Sequence, residues 1–151
     1  MSVLSRLETA GVILPSPSAP AANYVPFVMT GKLLFVSGQI SMGPHGLVRG
    51  RLGETMTLEE GRDAARLCAI NLIAQIRAAL EDLERVVRIV KLGGFVNCAP
   101  DFTDIPQVMN GCSDLMVLAF GDRGRHARSA VACPVLPFGV AVEVDAVVEF
   151  Q

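Results

Sequence analysis

Arg125-His126-Ala127-Arg128-Ser129-Ala130-Val131, then Leu136-Pro137, then Val140-Ala141-Val142-Glu143-Val144-Asp145-Ala146-Val147-Val148-Glu149-Phe150, is the stretch that decides the fold. Its last segment alternates. Val140, Val142, Val144, Ala146, Val148 and Phe150 fall on one side, and Ala141, Glu143, Asp145, Val147 and Glu149 on the other. A period of two describes a strand with one buried face. The side bearing Glu143 and Asp145 must meet water or another subunit. Arg128 stands just ahead of a shorter apolar run that Leu136-Pro137 turns back. A guanidinium is always charged, and its planar fork matches a carboxylate. Burying it costs free energy unless an anion meets it. Either Glu143 or Asp145 neutralises Arg128, or Arg128 receives an acidic ligand.

Upstream, two helical patterns bracket an apolar run. Thr57-Leu58-Glu59-Glu60 has the spacing of a capping box. The helix it opens carries Ala65, Cys68, Leu72, Ile76, Ala79 and Leu83 on one face, with Arg62, Asp63, Arg66 and Arg77 on a solvated side. Val86 to Val96 is β-branched and nearly continuous, which predicts a buried strand, and Gly93-Gly94 within it predicts a bulge or a close neighbour. Asp104 caps a second helix, with Ile105, Val108, Met109, Cys112, Met116 and Phe120 on one face and Gly121 at its end; Asn110 lies off that face.

Nearer the start, Ser2 to Ala10 predicts a short helix, and Leu14 to Asn23 a leader rich in proline and small residues. Tyr24 to Thr30 and Leu33 to Val36 read as strands around Gly31-Lys32, the second ending in Ser37-Gly38-Gln39. Met42 to Gly46 is a turn holding a loop histidine, His45, and Leu47 to Arg51 a short third strand. Strands on both sides of two helices imply an α+β domain, a mostly antiparallel sheet with both helices on one face.

A chain of 151 residues is one domain's worth, so residues 1–151 are read as a single domain with residues 1–23 packed upon it. Hydrophobic residues make up 51%, and mean hydropathy is +0.45. That surplus predicts a subunit interface and hence a homo-oligomer. A net charge of -2 with no Trp and one Tyr argues against nucleic acid as a partner. Cys68, Cys98, Cys112 and Cys133 show no metal or redox spacing, and the start has no secretory pattern. Four reduced cysteines in a cytoplasmic protein, with no membrane span, is the expectation.

The order and spacing of Val36-Ser37-Gly38-Gln39-Ile40, the Thr57–Leu83 helix, Ala127-Arg128-Ser129, Leu136-Pro137 and Val142-Glu143-Val144-Asp145-Ala146 resemble the Rid (YjgF) family, formerly called endoribonuclease L-PSP. The resemblance runs from about Tyr24 to the C-terminus. It implies a chorismate-mutase-like fold and a homotrimer whose sheets form a central barrel. It also implies hydrolysis of reactive 2-imino acids or enamines to 2-keto acids and ammonia, in clefts between subunits, with neither metal nor organic cofactor. Carried over residue by residue, the carboxylate-binding arginine is Arg128, the catalytic glutamate Glu143, and the substrate-lining positions Tyr24, Gly38 and Asn110. The position of the archetypal cysteine is Ala130, a departure that marks a divergent subgroup.

Two other readings stand beside this one. Without the resemblance, Arg128 is a structural ion-pair partner of Glu143 or Asp145, Tyr24 a strand-end aromatic, and Asn110 a solvated helix residue. With it, the same clefts could bind a small keto acid or a protein without turnover. His126-Ala127-Arg128-Ser129 suggests a nucleophilic serine, but no further residue is placed by sequence to orient a base, and G-x-S-x-G is absent.

Overall fold

Val142–Phe150 forms the central strand of the molecule. In this computed structural model, which describes residues 1–17, 19 and 22–151, the seven strands are β1 (Phe27–Thr30), β2 (Leu33–Ile40), β3 (Met42–Gly43), β4 (Gly46–Leu47), β5 (Val86–Asn97), β6 (Ala127–Cys133) and β7 (Val142–Phe150). The helices are α1 (Val3–Thr9), α2 (Leu58–Leu80) and α3 (Ile105–Phe120). Five strands make one sheet in the order β1-β2-β7-β5-β6, and β3 and β4 make a small hairpin. Every pair in the large sheet is antiparallel except β5 with β6. This is the α+β architecture the sequence implied.

The alternation in β7 places Val142, Val144, Ala146 and Val148 in the core and leaves Glu143, Asp145, Val147 and Glu149 partly exposed. Against the buried face lie α2 and α3, with Leu72, Ile73, Ile76, Met109, Leu115 and Phe120 fully enclosed. Each large side chain so buried contributes about 1.5–3 kcal/mol. The two helices touch through glycine: a Cβ at Gly111 would strike the Arg62 carbonyl. On the other side of α3 sits α1, which buries Val3 and Leu7 as the N-terminal helix predicted.

The capping box forms as its residues specify. Glu60 N–H donates to the Thr57 hydroxyl at 3.2 Å, and Thr57 N–H donates to the Glu60 carboxylate at 2.8 Å. That helix ends at Leu80, where Glu81 takes a φ of 65°, so Leu83 falls in a 3-10 turn and not in the helix. Asp104 precedes α3 but makes no side-chain cap there; Pro106 in the first turn removes a donor that would need one.

Several expectations change on the unhelical side. Tyr24 to Pro26 run ahead of β1 rather than in it, tied to β2 by Ser37 N–H to Pro26 O at 2.9 Å and Ser37 Oγ–H to Val25 O at 2.8 Å. Leu47–Arg51 is reduced to β4 and one bridge, Arg49 with Val140. Of the leader, Leu14 packs partly against the core, while Ser18, Pro20 and Ala21 lie outside the described residues.

The run Val86–Val96 is buried on one face only. Val86, Ile89, Leu92 and Val96 are enclosed, but Val87 is exposed and Phe95 only half-covered. Its register shifts lie at Val86/Arg88 and Ile89/Lys91. The two glycines instead mark close neighbours: a Cβ on Gly93 would meet the Asp145 carboxylate, and one on Gly94 the Met109 side chain. On this open face Val28, Phe35 and Val131 are exposed, aligned with Val147, Phe95 and the two carboxylates by strand pairing.

Candidate functional site

Arg128 leaves β6 on the helix side because it pairs with Leu92, a fully buried residue of β5. There α3 meets it. Its NH1 group donates to Asn110 Oδ1 and to Ser113 Oγ, each at 3.0 Å, and NH2 approaches the Pro106 carbonyl at 3.4 Å. Both NH1 hydrogens are therefore used. Nε–H and one NH2 hydrogen remain, on adjacent nitrogens, enough to hold a carboxylate by two bonds. Among the described residues no carboxylate lies within ion-pair distance of Arg128. Neither Glu143 nor Asp145 neutralises it, which removes the ion-pair reading.

Asn110, set off the apolar face of α3, is thereby a partner of Arg128 and not merely a solvated residue. Ala130 lies two residues along β6 on the same face and packs partly into the core. It belongs to an edge strand, which presents alternate backbone groups outward.

Glu143 occupies a different place. It pairs with Ile40 on one side and Phe95 on the other, on the face away from the helices. Its carboxylate reaches the β2 bulge between Val36 and Gln39, so close to Gly38 that a Cβ there would collide with it. Here the predicted glycine serves both as bulge and as close approach. Glu143, Gly38 and Tyr24 line one cleft of about 330 Å³, together with Ser37, Gln39, Asn71 and Phe138. Asn71 closes one wall by donating to the Ile40 and Met42 carbonyls at 3.3 and 3.0 Å. Burial, with the nearby charge of Asp145 second, holds the Glu143 carboxyl above its ordinary range.

The six predicted positions thus separate into two groups. Arg128, Asn110 and Ala130 gather at β6 and α3, while Tyr24, Gly38 and Glu143 gather at β2 and β7. The structure does not bring the two groups together within one copy.

Sequence reasoning missed the neighbours that hold Arg128. Ser113 Oγ lies 2.9 Å from His126 Nε2, and His126 Nδ1 lies 2.6 Å from Gly124 O. Ser129, the serine suggested by its nearness in sequence, pairs with Gly93 and points to the other face. Burial is the main cause that lowers the His126 pKa, with the Arg128 charge adding to it. Burial likewise pushes the Cys112 thiol up to about 12, and Cys68 also upward, so both are inert. Among the described residues no cluster of His, Cys, Asp and Glu could hold a metal ion, and no helix is long and apolar enough to cross a membrane.

Comparison with known proteins identifies the family. The family model described as "YjgF/chorismate_mutase-like, putative endoribonuclease" matches residues 4–150. Protein TCP17 of Trypanosoma cruzi is 50% identical over 151 residues, covering 99% of this chain and 94% of that protein. The crystal structure of Atu1372 from Agrobacterium tumefaciens, of unknown function, superposes with a TM-score of 0.93 at 43% identity, covering 99% of this chain and 92% of the other. E. coli TdcF with bound serine gives 0.61 at 25% identity, over 90% of this chain and 94% of that one. The chain belongs to the YjgF/chorismate-mutase-like family.

Proposed function

We propose that this protein hydrolyses 2-imino acids, or the enamines they derive from, to 2-keto acids and ammonia in clefts between copies of the chain. The observation that carries this reading is the state of Arg128. Its NH1 group is anchored on α3, two donors are left over, and no carboxylate neutralises it. A half-buried guanidinium held in that way is suited to a small carboxylate ligand. The binding of serine by TdcF, a small amino acid, supports the same ligand class.

The chemistry needs little more. A protonated imine carbon is already electrophilic, so the site must place the substrate and a water, and then take both protons from the water oxygen, passing one to the nitrogen that leaves. Arg128 clamps the carboxylate. Glu143, with its raised pKa, holds the attacking water and takes one proton, returns it to the amine of the carbinolamine, and takes the hydroxyl proton as the C–N bond breaks and the carbonyl forms. Its carboxylate lines an open cleft in which that water can sit. Tyr24 and Asn110 shape the pocket, and the backbone at Gly38 and Ala130 completes it. The surplus of exposed apolar residues on the sheet's open face supports a homotrimer with that face turned inward as a barrel.

A second reading follows from one residue. Ala130 stands where archetypal members have cysteine, and if the thiol is needed, the clefts bind a keto acid without turnover. A coupled assay decides between them. A PLP dehydratase or an amino-acid oxidase generates 2-imino acids in the presence of semicarbazide, which traps them. Diversion to keto acid by wild type and not by Arg128→Ala is the expected result. No diversion across several amino-acid precursors overturns the deaminase reading and leaves the binding one.

A further inference from the structure

We propose that His126 is a positioning residue for the anion clamp: as its Nδ1–H tautomer it fixes Ser113 as an acceptor toward Arg128, and so sets the guanidinium edge that faces the ligand. This rests on the role given to Arg128 under Proposed function and adds two residues to it.

Arginine only donates, so in the 3.0 Å contact with Arg128 NH1 the Ser113 oxygen accepts. A hydroxyl has one hydrogen to give, and the partner at 2.9 Å is His126 Nε2. The direction of that contact is set from the far end of the ring. At the other end of the ring, Nδ1 lies 2.6 Å from the Gly124 carbonyl, which can only accept, so Nδ1 carries the hydrogen. A neutral ring with its hydrogen on Nδ1 leaves Nε2 bare, so the links run Arg128 to Ser113, Ser113 to His126, His126 to Gly124. A chain of bonds pointing the same way strengthens each member.

The surroundings agree. Gly124 is buried against α3 so closely that a Cβ would meet the Met116 carbonyl, which fixes the acceptor at the end of the chain. Burial favours the neutral ring, and so does the charge of Arg128. The other charges near this corner are engaged elsewhere: Asp122 with Arg125 at 3.4 Å, and Asp114 with Arg62 at 3.6 Å. Lys91, across the sheet from Ala127, faces the opposite side. With Asn110 taking the second NH1 hydrogen, the head group is held at two points and cannot swing. Loss of either point leaves it free to rotate away from the productive orientation.

The test uses the full chain with 2-oxobutyrate as the probe. Calorimetry gives Kd for wild type, His126→Phe, Ser113→Ala, Ser113→Thr, the double variant His126→Phe/Ser113→Ala, and Arg128→Ala. His126→Phe and Ser113→Ala should each weaken binding about tenfold, the scale of one hydrogen bond to a charged group. The double variant should lose no more than either single one, because both break the same chain. Ser113→Thr, which keeps the hydroxyl, should bind as wild type does. In the imine assay the loss should fall on KM and not on kcat. Nitrogen-15 spectra of the His126 ring should show Nδ1 protonated and Nε2 bare. An Nε2–H tautomer, or wild-type affinity in Ser113→Ala while Arg128→Ala has lost binding, overturns the proposal. Wild-type affinity in Arg128→Ala overturns the clamp itself. If His126→Phe fails to fold, the Ser113 pair and the ring spectrum decide alone.

Discussion

Arg128 and Glu143 leave opposite faces of the same sheet. Leu92 pairs with both Arg128 on β6 and Ala146 on β7, and Ala146 faces the helices. Glu143 lies three residues along β7 and faces the other way. Two strand spacings and three residues separate the pair by roughly 10 Å in each direction. One small imino acid cannot touch both side chains within a single copy. If they serve one reaction, they do so across a boundary between copies, each contributing half of every site.

That requirement is testable by complementation. Homogeneous Arg128→Ala and Glu143→Ala oligomers each lack one half of every site and should be inactive. Co-expressed in equal amounts, they should assemble mixed oligomers in which some clefts unite an intact Arg128 with an intact Glu143. Statistical mixing predicts recovery of about a quarter of wild-type activity. Mixtures that form mixed oligomers by mass spectrometry and stay inactive would show that the two residues do not share a site.

Gly38→Ala bears on the Glu143 half alone. The added methyl would overlap the Glu143 carboxylate, the movable end of a flexible side chain. The fold should therefore hold, with a melting temperature near that of wild type, while kcat for imine hydrolysis falls at least about tenfold as the base is pushed from its place. Equal activity in this variant would remove Glu143 from the mechanism.

Gly111→Ala is the contrast. Its Cβ would strike the Arg62 backbone of α2, which cannot step aside without moving the helix. Overpacking of that kind costs about 3 kcal/mol. For a domain of this size that is a fall in Tm of roughly 10 °C, to be read by calorimetry.

How far the sequence carried can be judged from these same residues. The period-two pattern of β7 and the Thr57–Glu60 box were legible because each depends only on near neighbours. Arg128 was legible as a candidate clamp, but not its partners. Ser113 and His126 sit 13 positions apart and meet only because α3 ends and the Gly121–Gly124 turn folds β6 back beside it. No spacing rule encodes such a meeting. The run Val86–Val96 misled for a different reason. An apolar face left open has the same composition as one turned to the core, so Val87 and Phe95 read as interior.

Phe35 tests whether that face meets another copy of the chain. It is 45% exposed on the open face, opposite Val28 on β1 and Val147 on β7. In the proposed homotrimer, Phe35→Glu places a charge in the middle of the contact between copies and should shift the protein to monomer in sedimentation. Its far-ultraviolet spectrum should remain that of a folded chain, since the core on the helix side is untouched. A variant that remains fully oligomeric would show that this face is not the interface.

Asp145 offers a pH prediction with a definite sign. Burial is the main cause that raises its pKa above the ordinary 3.8, outweighing the Gly93 N–H and the charge of Lys91, which act the other way. Above the folded value both folded and unfolded chains are ionised there, and the folded chain bears the cost. As pH falls into the window between the folded value and 3.8, the folded protein takes up the proton first, and stability rises. Asp145→Asn should therefore raise Tm at neutral pH, with the gain shrinking as pH falls toward 3.8. His126 contributes the opposite slope: its folded pKa lies below 6.5, so the unfolded chain is protonated first and stability falls as pH drops below that value. Comparing Tm of wild type and Asp145→Asn across a pH series isolates the carboxylate. A variant less stable than wild type at neutral pH would mean that the Lys91 and Gly93 contacts, not desolvation, govern Asp145.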